Sequence, residues 1–176
     1  MTQPTRRIVT GHKDGKATIM IADMAPNLNE IPGWGIGVTE LWVTNDWPID
    51  NSSWAVDQGA RPLAHDPGPN GTIFRVVEFP PESAGQIDPE VAFRALGTRT
   101  RPTANDSALH PSMHKTDSID YLVIMSGEMH MVMEEGEILV RAGDCIVQRG
   151  TNHAWINRTD KPCVLAVVLI DAKPAP

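Results

Sequence analysis

The stretch from Asp120 to Asp171, DYLVIMSGEMHMVMEEGEILVRAGDCIVQRGTNHAWINRTDKPCVLAVVLID, decides the fold class of this chain. Short apolar, β-branched runs alternate with turn residues throughout it. The turns are Ser126-Gly127-Glu128, Glu134-Glu135-Gly136, Ala142-Gly143-Asp144, Gly150-Thr151-Asn152 and Thr159-Asp160-Lys161-Pro162. Turns at such short, even spacing are the mark of an antiparallel meander, sandwich or barrel. Strands are expected at Tyr121–Met125, Met129–Met133, Ile138–Val140, Cys145–Gln148, Ala154–Asn157 and Cys163–Ile170. Three alternating methionines, Met129, Met131 and Met133, are expected to fill one packed face.

Upstream, strands are expected at Thr18–Ile21, Ile36–Val43 and Thr72–Phe79. Between them, the Pro- and Gly-rich segment from Asn45 to Asn70 reads as a long loop or arm. The region from Pro80 to Asn105 reads the same way, apart from one short helix expected over Pro89–Ala95, with Pro near its first position. The organisation expected is a single domain: residues 1–105 supply strands and wrapping loops, and residues 106–172 form the core. Four of the five tryptophans, Trp34, Trp42, Trp47 and Trp54, sit in the first half, to cover a barrel mouth or pack a dimer interface.

The 176-residue chain carries 15 basic against 22 acidic residues, a formal net charge of −7. A nucleic-acid partner is excluded on that balance, because phosphate binding needs a basic face. No apolar run approaches the roughly 18 residues of a membrane span, and no apolar run follows Arg6 and Arg7 to make a signal peptide. With Cys145 and Cys163 both read as buried small hydrophobes, a cytoplasmic protein is expected.

Two constellations carry chemistry. In the first, side chains alternate along an extended His114-Lys115-Thr116-Asp117-Ser118-Ile119-Asp120, so His114, Thr116, Ser118 and Asp120 share a face. In the second, a turn delivers His153 to the start of a strand that also carries Trp155 and Asn157. A histidine and a carboxylate on one face can converge on an ion or act as an acid/base pair. Arg149, in the turn before His153, stands where a guanidinium at a pocket rim would fork onto a substrate carboxylate. His12, His65 and His130 are read as surface or packed residues, and His110 as at most a pocket neighbour. Tyr121 points away from Asp120 on strict alternation.

These residues resemble the two motifs of the cupin superfamily. His114 stands at the first histidine of motif one, Thr116 at the second, Asp120 at the glutamate and Gly127 at the closing glycine. Gly143, Gln148-Arg149-Gly150, His153 and Asn157 follow motif two, with Gln148 at the proline. The resemblance implies an all-β jelly-roll barrel, commonly a homodimer, with a divalent metal (Fe, Mn, Zn or Ni) held by His114, Asp120 and His153. Thr116, at a ligand position, departs from the family. The same three residues are the expected catalytic groups, with Thr116, Arg149, Trp155 and Asn157 around a small oxygenated or carbonyl-bearing substrate. Lyase, decarboxylase, isomerase and dioxygenase chemistry all suit that site; the alternative is a metal-free barrel that binds a small molecule without turning it over.

Overall fold

The computed structural model describes residues 2, 4–52, 56–85, 88–99 and 103–175. Trp54 lies outside them. Eleven strands are present among the described residues: β1 (Arg6–Lys13), β2 (Lys16–Met24), β3 (Asn27–Ile31), β4 (Ile36–Thr44), β5 (Thr72–Phe79), β6 (Ser118–Ser126), β7 (Glu128–Met133), β8 (Glu137–Arg141), β9 (Cys145–Arg149), β10 (His153–Ile156) and β11 (Cys163–Asp171). Two helices, α1 (Pro89–Leu96) and α2 (Ala104–Leu109), interrupt them.

A six-stranded sheet runs in the order β3-β4-β5-β11-β6-β9 and faces a three-stranded sheet, β10-β7-β8. Every pairing is antiparallel. Their inner faces meet in one apolar core that includes Val38, Ile73, Val77, Leu122, Ile124, Met129, Met131, Val140, Leu165 and Leu169. This is an all-β jelly-roll barrel, in which period-two alternation sends one face of each strand inward. Met129 and Met131 are buried and Met133 packs against the core, so the alternating methionines fill the inner face of β7.

The expected strands fall within three residues of those observed at either end, and β1, β3 and α2 were missed. The N-terminal half is less of an arm than its composition suggests. β3, β4 and β5 are integral to the larger sheet, while only β1 and β2 form a separate hairpin. That hairpin leaves Ile8, Ile19, Met20 and Met24 exposed.

Two local features position the site. Asp88 caps α1 by accepting from Val91 N at 3.1 Å, Pro89 opens the helix and Gly97 closes it in the left-handed region. These are ordinary start and stop signals, and they aim Ala92, Phe93 and Leu96 at the end of the barrel. Gly127, at φ 75°, makes the turn from β6 to β7, where an added Cβ would lie 2.6 Å from Pro162 O. Both constraints demand glycine.

Candidate functional site

His114 and His153 are brought together by a two-way backbone bridge: each amide donates to the other's carbonyl at 2.9 Å. Their rings come to 4.3 Å between centroids. The same local device orients both. His114 Nδ1 lies 2.7 Å from Ser112 O and His153 Nδ1 lies 2.9 Å from Thr151 O, each a carbonyl two residues back. A carbonyl only accepts, so each Nδ1 carries the proton and each Nε2 keeps its lone pair. Burial holds both imidazoles below their usual pKa, and a charge on His114 would further oppose one on His153.

Asp120 enters from β6. Ser118 Oγ donates to Asp120 Oδ1 at 2.6 Å, and Thr116 Oγ1 lies 2.8 Å from Ser118 Oγ. The serine proton is spent on the carboxylate, so Thr116 donates to Ser118. Thr116 therefore heads a chain of hydroxyls ending on Asp120. Burial pushes the carboxyl up to about 6, opposed by the Ser118 hydrogen bond and the Arg75 charge. Desolvation disfavours the charged form and wins here.

Gln148 lies directly across the β6–β9 ladder from Asp120. Its amide nitrogen stands 2.9 Å from both ring nitrogens of His153 and 3.5 Å from Asp120 Oδ2. The amide thus sits between the histidine and the carboxylate that were expected to share an ion. Both Asp120 oxygens are turned to protein donors, and among the described residues no three His, Cys, Asp or Glu groups gather to hold a metal. The donor set present does not fit the divalent metal that the resemblance implies.

These residues line an inner cavity of about 80 Å³. Its apolar walls include Ile36, Val77, Leu96, Leu165 and Leu169, and its polar lining His65, Arg75, His114, Thr116, Asp120, Gln148 and His153. Trp34, Phe79 and Trp155 also line a second, outer cavity of about 380 Å³. Trp155 meets His153 edge-on at 5.8 Å, and Trp34 meets His114 edge-on at 6.4 Å. The expectation that Trp155 shares a face with His153 holds. Of the N-terminal tryptophans, Trp34 walls both cavities, whereas Trp47 is 71% exposed.

Several expectations are corrected. Arg149 is exposed and lines neither cavity; in β9 the inward positions are Ile146 and Gln148, so period two turns Arg149 outward. Cys145 is exposed for the same reason, while Cys163 is buried and its thiol is pushed up to about 11. Asn157 is buried but occupied: it donates to Phe79 O at 3.0 Å and Lys161 O at 2.8 Å and accepts from Thr159. It holds a turn and lines only the outer cavity. His65, read as a surface residue, packs 4.8 Å from the His114 ring and lines the inner cavity. Burial drives its pKa well down, helped by His114. His110 lies in the outer cavity, paired with Glu82 at 3.0 Å.

Sequence reading missed Arg75 altogether. It faces Glu40 across the β4–β5 ladder, and Nη2 bonds Glu40 Oε1 at 3.1 Å and Ala64 O at 2.8 Å. Both side chains are buried. Burial raises the Glu40 pKa and lowers that of Arg75, each partly offset by the other's charge. The alternation of β5 did signal an inward residue at 75, between Ile73 and Val77, but not that a charge would be accommodated there.

With the geometry in view, residues 102–169 match the family model described as Cupin domain. The resemblance to the cupin superfamily holds for that segment. It is 47% identical over 64 residues to phomopsin biosynthesis cluster protein C' of Diaporthe leptostromiformis, covering 35% of this chain and 34% of that one. The match thus spans about a third of that relative's length. A longer alignment, 25% identical over 179 residues, joins it to the cupin-domain-containing oxidoreductase virC of Hypocrea virens, covering 97% and 77% of the two chains. A cupin 2 conserved barrel domain protein from Salinispora arenicola superposes with a TM-score of 0.41 at 16% identity, over 78% and 77% of the two chains. Among the described residues no helix is long and apolar enough to cross a membrane.

Proposed function

We propose that the chain is an enzyme that admits a small carbonyl-bearing organic molecule to the inner cavity and moves a proton on it with His114, His153 and Asp120. One observation carries this reading: two imidazoles in contact, both fixed by backbone carbonyls with Nε2 as the lone-pair nitrogen, share a cavity with a carboxyl. Among the described residues no donor meets His114 Nε2, which makes it the base; the Gln148 amide nitrogen lies against the His153 ring, 2.9 Å from both its nitrogens. The buried Asp66 carboxylate favours the imidazolium that would form on His114. Asp120, at the end of the Thr116–Ser118 chain, is the second proton acceptor. A pKa near the working pH suits a group that both takes and returns protons.

Abstraction of a proton beside a carbonyl begins isomerisations and eliminations alike. The oxidoreductase names of the longer relatives extend the proposal to oxidations, for which these residues supply the proton transfer. A homodimer in the cytoplasm completes the reading, and light scattering at micromolar concentration checks the dimer.

The test needs no known substrate. Hydrogen–deuterium exchange beside the carbonyl of butan-2-one or 3-hydroxybutan-2-one is followed by NMR in D₂O. The protein is expected to accelerate exchange over buffer, with His114→Ala and Asp120→Asn each losing about 10²–10⁴-fold. No acceleration, or acceleration kept by both variants, rejects the reading in favour of simple ligand binding. Exchange abolished by a chelator and restored by one divalent ion would establish the metal-dependent alternative.

A further inference from the structure

Two buried polar atoms lining the inner cavity have no partner among the described residues: Arg75 Nε and Gln148 Oε1. The two residues are only 3% and 2% exposed. Folded proteins seldom leave such groups unpaired, because a buried donor or acceptor that loses water must regain a bond. One spare donor and one spare acceptor on two residues that line the same small cavity describe the ligand that would satisfy them.

The orientation of Gln148 follows from its neighbours. The end of the amide 3.5 Å from Asp120 Oδ2 lies 2.9 Å from both ring nitrogens of His153; with Nδ1–H given to Thr151 O, the groups left to bond it are two acceptors. It must therefore be the NH₂ end, which leaves Oε1 as the bare acceptor. The chemistry offered by Arg75 is equally restricted. Nη2 is spent on Glu40 Oε1 and Ala64 O. Both geometries by which a guanidinium grips a carboxylate with two parallel bonds use an Nη2-type edge. With Nη2 occupied, neither two-bond edge is open, and Nε–H is the buried donor left unpaired. The charge is balanced as well: Glu40 lies 3.1 Å from Arg75 and 3.5 Å from Arg61, and Asp66 and Asp120 are buried close enough to act on Arg75. A ligand carboxylate would add a further negative charge to that group.

We infer that the inner cavity selects an uncharged hydroxy-carbonyl compound, its carbonyl oxygen accepting from Arg75 Nε–H and its hydroxyl donating to Gln148 Oε1. This rests on the reading of the cavity as the substrate site, and it makes Arg75 and Gln148 the specificity-determining pair. As negative charge develops on the carbonyl oxygen during proton abstraction, the Arg75 bond strengthens.

The probes are 3-hydroxybutan-2-one, butan-2-one, butan-2-ol and lactate, with binding to the full chain measured by protein-observed NMR titration. The hydroxyketone is expected to bind about tenfold tighter than the ketone or the alcohol, each of which leaves one buried group unpaired. Gln148→Met should abolish the preference over butan-2-one. Arg75→Lys keeps a cation beside Glu40 but withdraws the Nε–H, and should abolish the preference over butan-2-ol. Thermal melts confirm that each variant folds; if Arg75→Lys does not, Gln148→Met carries the test. Equal binding of hydroxyketone and ketone, tightest binding of lactate, no binding by any probe, or an unchanged preference in folded Gln148→Met overturns the inference. Because binding is read apart from exchange, loss of the proton-transfer proposal would leave this result standing, and the reverse.

Discussion

The two halves of the barrel reach the same cavity by different means. β6, β9 and β10 deliver Asp120, Gln148 and His153 through short turns and strict alternation. The N-terminal half delivers Arg75 and Glu40 across the β4–β5 ladder, and His65 from the connection that follows β4. The first set is neutral or able to become so, and it is suited to handling protons. The second is a buried ion pair whose members depend on one another. Residues that perform proton transfer must tolerate a change of charge, whereas a buried ion pair tolerates none.

Glu40→Gln breaks the comparison most severely. It leaves Arg75 as a buried cation without its counter-ion, a loss expected to cost about 3–5 kcal/mol. Chemical denaturation at neutral pH measures it. A cost below about 1 kcal/mol would mean that the two halves are not different in kind.

Asp120→Asn should have the opposite sign. Burial raises the folded-state pKa of Asp120 from 3.8 to about 6. Its favourable contribution is complete below 3.8 and disappears as pH rises through about 6, where ionisation inside the barrel becomes a cost. The asparagine variant is therefore expected to be more stable than the parent at pH 8, by up to about 3 kcal/mol for a shift of that size. At pH 4 the two should melt together. The same variant loses proton exchange, so stability and activity would part at one residue.

His65, His114 and His153 give a third, pH-dependent effect. All three have folded pKa values below the ordinary 6.5. The folded state binds fewer protons than the unfolded chain, so stability is complete above pH 6.5 and falls as pH drops below it. His65→Gln, retaining a polar side chain beside His114, should flatten that acid limb, as read by melting temperature from pH 7 down to 4.5. Its failure to do so would return His65 to a packing role.

The smallest effect belongs to the outward face. Arg149→Ala is expected within about 0.5 kcal/mol of the parent in stability, with exchange unchanged. Asn157→Ala, which removes two donors and an acceptor from a buried turn, should cost about 1–3 kcal/mol. A loss of activity in Arg149→Ala would restore that residue to the pocket rim.

The motif-bearing half was legible because its determinants are local. Asp120, His153 and Trp155 stand on the inward phase of strands whose turns fix the phase, and His114 and Thr116 precede β6 on the same phase, so a period of two was enough to place them. Arg149 and Cys145 failed on that rule's own terms: the turn was drawn too early, and β9 in fact runs to Arg149. Asn157 was placed in the barrel but given the wrong work, because its partners Phe79 and Lys161 come from different parts of the chain. β1 and the short β3 escaped because their sequences, RRIVTGHK and NLNEI, do not alternate apolar with polar residues.

The sequence by itself determined the all-β class, the strand phase around both motifs, and the meeting of His114, Asp120 and His153 in one barrel. Tertiary structure alone decided that Gln148 stands between Asp120 and His153, that His65 joins them, and that Arg75 is buried against Glu40. The reason is physical. Side-chain phase is set by the strand to which a residue belongs, whereas these three relations depend on ladder register and on which loop closes over the cavity. Such contacts join residues up to 49 positions apart in the chain, as His65 and His114 show, and no local period records them.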